Sequence, residues 1–181
     1  ESFSGPAAGT AASDERFEAV EMTPGNILRV ASVSKLITAA GIMKMQEDGL
    51  IHLSDTVFGP GGILCDSLYT DAIRYMNDYS KITVEHCPPS LDDYSRLVLS
   101  RRLRYEPGGS QTYSNYGYML LSRIIEKVSG MSYEDYIQQK VLHPAGCWDM
   151  HIADNYYEGK RPNEVRYYVH EGDGKEVREY N

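Results

Sequence analysis

Apolar residues recur at helical spacing along much of this chain. Val33, Leu36, Ile37, Ala40 and Met43 fall on one helical period, so a first strong helix is expected from about Ser32 to Glu47, with Gly49 as its stop. Leu120, Leu121, Ile124, Ile125 and Val128 mark another, over about 116–129, with Gly130 just past its end. Ser132 with Asp135 caps a further helix that runs to about Val141 and is stopped by Pro144. After the breaker Cys87-Pro88-Pro89, Ser90 with Asp93 at the capping-box position opens a helix over about 90–100.

Strand patterning is concentrated near the C-terminal end. Glu164-Val165-Arg166-Tyr167-Tyr168-Val169 is expected to pair with Glu176-Val177-Arg178 as a hairpin that turns at Gly172-Asp173-Gly174. Turns are expected at Thr23-Pro24-Gly25-Asn26, Gly59-Pro60-Gly61-Gly62 and Pro107-Gly108-Gly109, with residues 110–115 as an exposed loop. Residues 1–25 read as an irregular lead-in. Ile82-Thr83-Val84-Glu85 fits a helix start and a short strand equally, and residues 63–80 are mixed and tyrosine-rich, with no assigned element. There is no internal repeat. The class expected is α+β, dominated by helices.

Composition adds mainly exclusions. The chain has 181 residues, 41% hydrophobic and 24% charged, which is an ordinary globular mixture and room for a single domain. Lys plus Arg number 18 against 26 Asp plus Glu, a net charge of −8, which argues against a nucleic-acid partner. The longest apolar-or-small run, Leu36 to Met43, is far short of the ~20 residues a membrane-spanning helix needs. Three cysteines (Cys65, Cys87, Cys147) with no C-x-x-C make no disulfide framework, and the five histidines show no metal-ligand spacing, so no cofactor or metal is expected. Residue 1 is Glu, and no basic stretch followed by an apolar core marks a signal peptide.

Two short patterns carry possible chemistry. In Ser32-Val33-Ser34-Lys35, the amine of Lys35 lies one helical turn from the hydroxyl of Ser32. A serine hydroxyl is a poor nucleophile until a neighbour takes its proton, and an amine at that distance is placed to do so. The spacing alone identifies nothing, because chance supplies about 0.6 such matches in a chain of this composition. A capping serine beside a solvated lysine explains it equally. The second pattern is Tyr113-Ser114-Asn115. In an extended loop its first and third side chains point the same way, and a phenol beside an ammonium loses its proton more easily. Tyr75-Met76-Asn77 repeats the spacing and reads as a decoy. The copy at Tyr113 stands out by its setting, between Pro107-Gly108-Gly109 and an apolar-faced helix.

Taken in order, these residues resemble the serine β-lactamase and penicillin-binding protein superfamily, closest to its class C and D-Ala-D-Ala carboxypeptidase branch. The matching stretches are Arg29-Val30-Ala31-Ser32-Val33-Ser34-Lys35-Leu36-Ile37-Thr38 and Tyr105-Glu106-Pro107-Gly108-Gly109-Ser110-Gln111-Thr112-Tyr113-Ser114-Asn115-Tyr116-Gly117-Tyr118. Ile125-Glu126-Lys127-Val128-Ser129-Gly130-Met131-Ser132-Tyr133 and Val141-Leu142-His143-Pro144-Ala145-Gly146 continue the likeness, which covers about residues 22 to 155. It implies a β-lactamase/transpeptidase-like fold. It also implies Ser32 as the acylated nucleophile, Lys35 and Tyr113 sharing general acid and base duty, and Asn115 as a substrate contact. The backbone N–H of Ser32 becomes half of an oxyanion hole. The substrate implied is a small molecule or peptide with an amide, ester or β-lactam bond, and the location periplasmic or extracellular.

The chain departs from the family pattern in three places. The third motif, Lys or His followed by Thr or Ser and then Gly, has no convincing match. His170-Glu171-Gly172 fits only the loosest form and reads better as a hairpin end. Cys87-Pro88-Pro89 follows Ile82-Thr83-Val84-Glu85-His86 where the family continues with leucines, and residues 1–21 are too short to hold the family's first strands. The expectation is therefore a single β-lactamase-like domain over 1–181 that is a fragment or gapped version of a longer chain, with an incomplete antiparallel sheet. With one oxyanion donor unaccounted for, these residues alone are expected to turn over slowly. A serine acyl hydrolase is the leading reading. The alternatives are a non-catalytic binding or sensor domain on the same scaffold, and a helical interaction domain with chance motifs. Oligomeric state is not legible.

Overall fold

The computed structural model describes residues 21–65, 91–101, 104–106, 108–154, 159–165, 167–171 and 176–180. The expectations for Ile82-Thr83-Val84-Glu85, Tyr75-Met76-Asn77, the Ser90 cap, Cys87-Pro88-Pro89 and the Gly172-Asp173-Gly174 turn lie outside them. The chain forms two compact units, one from Ser32 to His151 and one that joins Glu1–Ala31 to Ile152–Asn181.

The first unit is helical in its described part. A single 3₁₀ turn, Ala31–Val33, leads into helix α1, Ser34–Glu47. Helix α2 is Leu91–Leu99, α3 is Asn115–Ser129 and α4 is Tyr133–Ile137. The last passes directly into a π-helical stretch, Gln138–Leu142. These boundaries follow local chemistry. The Ser114 hydroxyl accepts the Gly117 N–H at 3.0 Å and starts α3, which ends at Gly130 with φ of +69° and its N–H on the Glu126 carbonyl. The Ser132 hydroxyl accepts the Asp135 N–H at 3.1 Å and donates to the Asp135 carboxylate at 2.6 Å, which starts α4. The α1 helix ends at Gly49, φ +70°, followed by Leu50 N–H on the Met45 carbonyl at 2.9 Å.

The helical period of Val33, Leu36, Ile37, Ala40 and Met43 does not mark the whole buried side of α1. Thr38, Gly41, Ile42 and Met45 are buried and Ile37 packs against the core beside them, while Leu36, Val33 and Met43 are 72%, 57% and 54% exposed. The buried set has the same helical spacing, so periodicity alone did not choose between them. Close approach did: a Cβ on Gly41 would stand 2.6 Å from Ile137 Cδ1 and 3.2 Å from Ile125 Cδ1. Only the side carrying Gly41 lets α1 press against α3 and α4. One expectation for these helices needs correction: in the π-helical stretch His143 N–H reaches back five residues to the Gln138 carbonyl at 2.8 Å where an α-helix was expected.

The core joins Ile42 and Met45 of α1, Ile124 and Ile125 of α3, and Tyr136, Ile137 and Leu142, with Ile51 and Leu64 from the loop after α1. Leu120, Leu121 and Val128 pack against it, as their spacing predicts. A polar tie adds to the packing between α1 and α4. The Thr38 hydroxyl lies 2.7 Å from the Tyr133 hydroxyl and 3.2 Å from the Ser34 carbonyl.

In the second unit, strands β1 (Tyr167–Glu171) and β2 (Glu176–Tyr180) pair antiparallel, with Tyr167 opposite Tyr180 and Glu171 opposite Glu176. The strand begins three residues later than the sequence suggests. Glu164 instead makes a parallel bridge with Ile27, through Ile27 N–H on Asn163 at 2.8 Å and Val165 N–H on Ile27 at 3.0 Å. The Glu164 side chain is buried and takes the Arg29 guanidinium at 2.9 Å. His170 falls within β1, opposite Val177. Among the described residues, no helix is long and apolar enough to cross a membrane.

Candidate active site

The start of α1 and the start of α3 supply the candidate site, which lies wholly within the Ser32–His151 unit. Ser32 occupies the 3₁₀ turn and is exposed. The residue before it, Ala31, has φ of +43°, and among the described residues it alone takes a positive φ without being glycine. An L-residue pays about 1–2 kcal/mol for that conformation, and such strain concentrates at functional positions.

Lys35 follows one turn later, and its Nζ donates to Ser32 Oγ at 3.2 Å. Tyr113 arrives from the other side. It is the last residue before the Ser114 cap, and its phenol oxygen lies 2.7 Å from Ser32 Oγ. The phenol is 68% exposed. Its ionisation is nonetheless eased: hydrogen bonding from the Lys35 side chain first, and from Ser32 second, holds the Tyr113 pKa below the usual phenol value. Ser32 Oγ thus sits between a cation and a phenol with a lowered pKa. A hydroxyl so placed has a proton acceptor within transfer distance and a positive charge beside the oxygen that gains charge.

Asn115, the first residue of α3, is exposed, and no hydrogen bond joins it to Ser32, Lys35 or Tyr113. The structure therefore brings together Ser32, Lys35 and Tyr113, while Asn115 is exposed at the start of α3, two residues after Tyr113. Sequence reasoning missed Tyr118. Its ring centroid is 5.7 Å from Lys35 Nζ, while the Tyr113 centroid is at 4.7 Å. The signal available was its position one helical turn after Asn115, but an aromatic in an apolar helix reads first as packing. Among the described residues, no cluster of three or more His, Cys, Asp or Glu could hold a metal ion.

Comparison with known proteins supplies the fold first. FmtA of Staphylococcus aureus superposes with a TM-score of 0.64 at 18% identity, over 92% of this chain and 47% of that one. A D-stereospecific amidohydrolase from Streptomyces sp. gives 0.59 at 20% identity, over 83% and 51%. The fold is thus that of β-lactamase and transpeptidase-like proteins. The sequence profile of the Beta-lactamase family matches residues 7–179, and the chain belongs to that family, within the serine β-lactamase and penicillin-binding protein superfamily. Penicillin-binding protein 4* of Bacillus subtilis (strain 168) is 30% identical over 169 residues, covering 87% of this chain and 38% of that protein. The chain therefore spans well under half the length of that relative.

Proposed function

We propose that this chain carries the nucleophilic centre of a serine hydrolase that works through an acyl-enzyme on an amide, ester or β-lactam. The observation that carries the reading is the placement of Ser32 Oγ 2.7 Å from the Tyr113 phenol oxygen and 3.2 Å from Lys35 Nζ. Tyr113 takes the proton of Ser32 as Oγ bonds to the substrate carbonyl carbon. Lys35 beside it stabilises the charge on phenolate and alkoxide. Collapse breaks the C–N or C–O bond, and Tyr113 returns the proton to the leaving amine or alcohol. Water then adds to the acyl-serine, gives its proton to Tyr113, and releases the acid with Ser32 restored. The Ser32 N–H, in the turn that opens α1, is one oxyanion donor in this scheme, and Asn115 is the substrate contact.

A β-lactam is the natural first probe, because Penicillin-binding protein 4* is a relative. A D,D-peptidase or esterase activity is an outcome of the same assay, and the periplasmic or extracellular location implied by the family belongs to the same proposal. The second reading is a binding or sensor domain without turnover on the same scaffold. One experiment decides between them. A labelled β-lactam and a fluorophosphonate are each incubated with the protein, and the adduct is located by peptide mass spectrometry. The hydrolase reading expects a label on Ser32, none on Ser34, none in the Ser32→Ala variant, and release of the acyl group with time. A folded protein that takes no label, or takes it on Ser34, overturns the assignment.

A further inference from the structure

Lys35 is a cation on a four-carbon stem, and its side chain must be held still to keep its hydrogen bond to Ser32. The usual device is a carboxylate partner. Among the described residues, none forms an ion pair with Lys35. Aromatic faces surround it instead: Nζ is 4.7 Å from the Tyr113 ring centroid and 5.7 Å from that of Tyr118, both within the range of a cation–π contact. The Tyr113 phenol is already engaged with Ser32, and its ring sits in the exposed loop ahead of α3. Tyr118 is different. It is half-buried, one turn inside α3, where the Ser114 cap and the Ile124–Ile125 core contacts fix the backbone. Its ring is the more buried of the two.

We propose that Tyr118 is a positioning residue, whose ring face holds the Lys35 ammonium in line with Ser32 Oγ. The proposal rests on the reading of Ser32 as nucleophile, since only then does the placement of Lys35 bear on a reaction. A carboxylate would fix the same cation as well, but it would compete with Ser32 for the ammonium hydrogens. The face of a ring attracts the cation without taking a directed donor, which leaves an N–H for Ser32 and another for the Tyr113 phenol. The Tyr118 hydroxyl has no part in this, so the role belongs to the ring alone.

The test separates the ring from its bulk. Lysine labelled with ¹³C at Cε gives a signal for Lys35, assigned by its loss in Lys35→Arg. Ring currents should displace that signal upfield in the wild type and in Tyr118→Phe, and much of the displacement should vanish in Tyr118→Leu. The rate at which a fluorophosphonate modifies Ser32 should stay within about twofold in Tyr118→Phe and fall about 3- to 30-fold in Tyr118→Leu. If Tyr118→Leu does not fold, pentafluorophenylalanine at position 118 keeps the shape and reverses the ring quadrupole, and should slow labelling by a similar factor. A Lys35 signal and a labelling rate that are both indifferent to Tyr118→Leu overturn the proposal. So does an equal loss in Tyr118→Phe, which would point to the hydroxyl. If the wild type takes no label at all, the hydrolase reading has failed, and the Lys35 signal alone still decides whether Tyr118 holds the cation.

Discussion

Ser32 Oγ and the phenol oxygen of Tyr113 stand 2.7 Å apart although 81 positions of sequence separate them. The closeness is a product of helix packing. Ser32 lies in the turn before α1, and Tyr113 lies two residues before α3. Those two helices are joined at Gly41 against Ile125, with Ile137 of α4 behind. Anything that shifts this junction shifts the hydroxyl against the phenol.

The first prediction concerns pH. Tyr113 is a useful base only as phenolate, so the acylation rate should rise with pH and level off above the pKa of Tyr113. Because hydrogen bonding from Lys35 and Ser32 lowers that pKa, the rise should fall below the range of an ordinary tyrosine. Lys35→Met removes the first of these causes and should move the rise to higher pH as well as slow the reaction. Tyr113→Phe should slow acylation by about 10²–10⁴-fold and abolish the rise. Rates of fluorophosphonate labelling between pH 6 and 10 check all three, and an unmoved profile in Lys35→Met would count against the assignment of roles.

The second prediction tests the junction itself. A Cβ at Gly41 meets Ile137 Cδ1 at 2.6 Å, and Ile137 is buried, so it has little room to yield. Overpacking of this kind costs about 1–3 kcal/mol, while replacing glycine by alanine in a helix returns about 1 kcal/mol. Gly41→Ala should therefore destabilise by about 1 kcal/mol in urea unfolding. Ile137→Val removes the clashing methyl, so the double variant should be more stable than the sum of the single changes predicts.

Three helix ends were legible because they are written in local chemistry, Ser132 as a cap and Gly49 and Gly130 as stops, whereas the Ser114 cap lies in a stretch that the sequence marks as loop. The buried face of α1 was not. Val33, Leu36 and Met43 on one side and Ile42 and Met45 on the other are equally apolar, and the choice was made by the missing Cβ of Gly41, which a hydrophobicity pattern scores as nothing. The proximity of Ser32 and Lys35 was legible from their spacing, whereas that of Tyr113 followed only from the resemblance to the family, its position between a turn and a helix serving to set it apart from Tyr75. Tyr118 was hidden because cation–π contact and core packing use the same residue type at the same spacing. The positive φ of Ala31 left no trace, since alanine is not a residue that announces it.

That backbone conformation yields the third prediction. With φ of +43°, Ala31→Gly relieves a cost of about 1 kcal/mol and should raise the melting temperature, whereas Ala31→Val should lower it. If the strain sets the angle at which Ser32 is presented, Ala31→Gly should also slow the labelling of Ser32. A gain in stability with no change in labelling would assign the conformation to folding alone.

The last prediction concerns the other unit, where charge is buried. The Glu164 side chain is 4% exposed and that of Arg29 is 22% exposed, with Nε and Oε1 at 2.9 Å. Each ion has further partners. Arg161 N–H donates to Glu164 Oε2 at 3.2 Å, and Arg29 Nη2 donates to the Asp154 carbonyl at 2.8 Å. The guanidinium carbon also stands 4.9 Å over the Tyr167 ring. Removing one member of such a pair leaves the other charge buried without its counter-ion, at a cost of about 3–5 kcal/mol, whereas replacing both by apolar residues of similar volume costs far less. Arg29→Met alone should therefore be more damaging than Arg29→Met combined with Glu164→Leu. The readout should be local, because the two units need not unfold together. Ile27 N–H on Asn163 and Val165 N–H on Ile27 bracket the pair, so their hydrogen exchange reports its loss directly. Exchange at both should accelerate strongly in Arg29→Met and recover in part in the double variant. Equal exchange in the single and double variants would mean that the carboxylate finds water when Arg29 is gone, and that the pair contributes as a surface contact does.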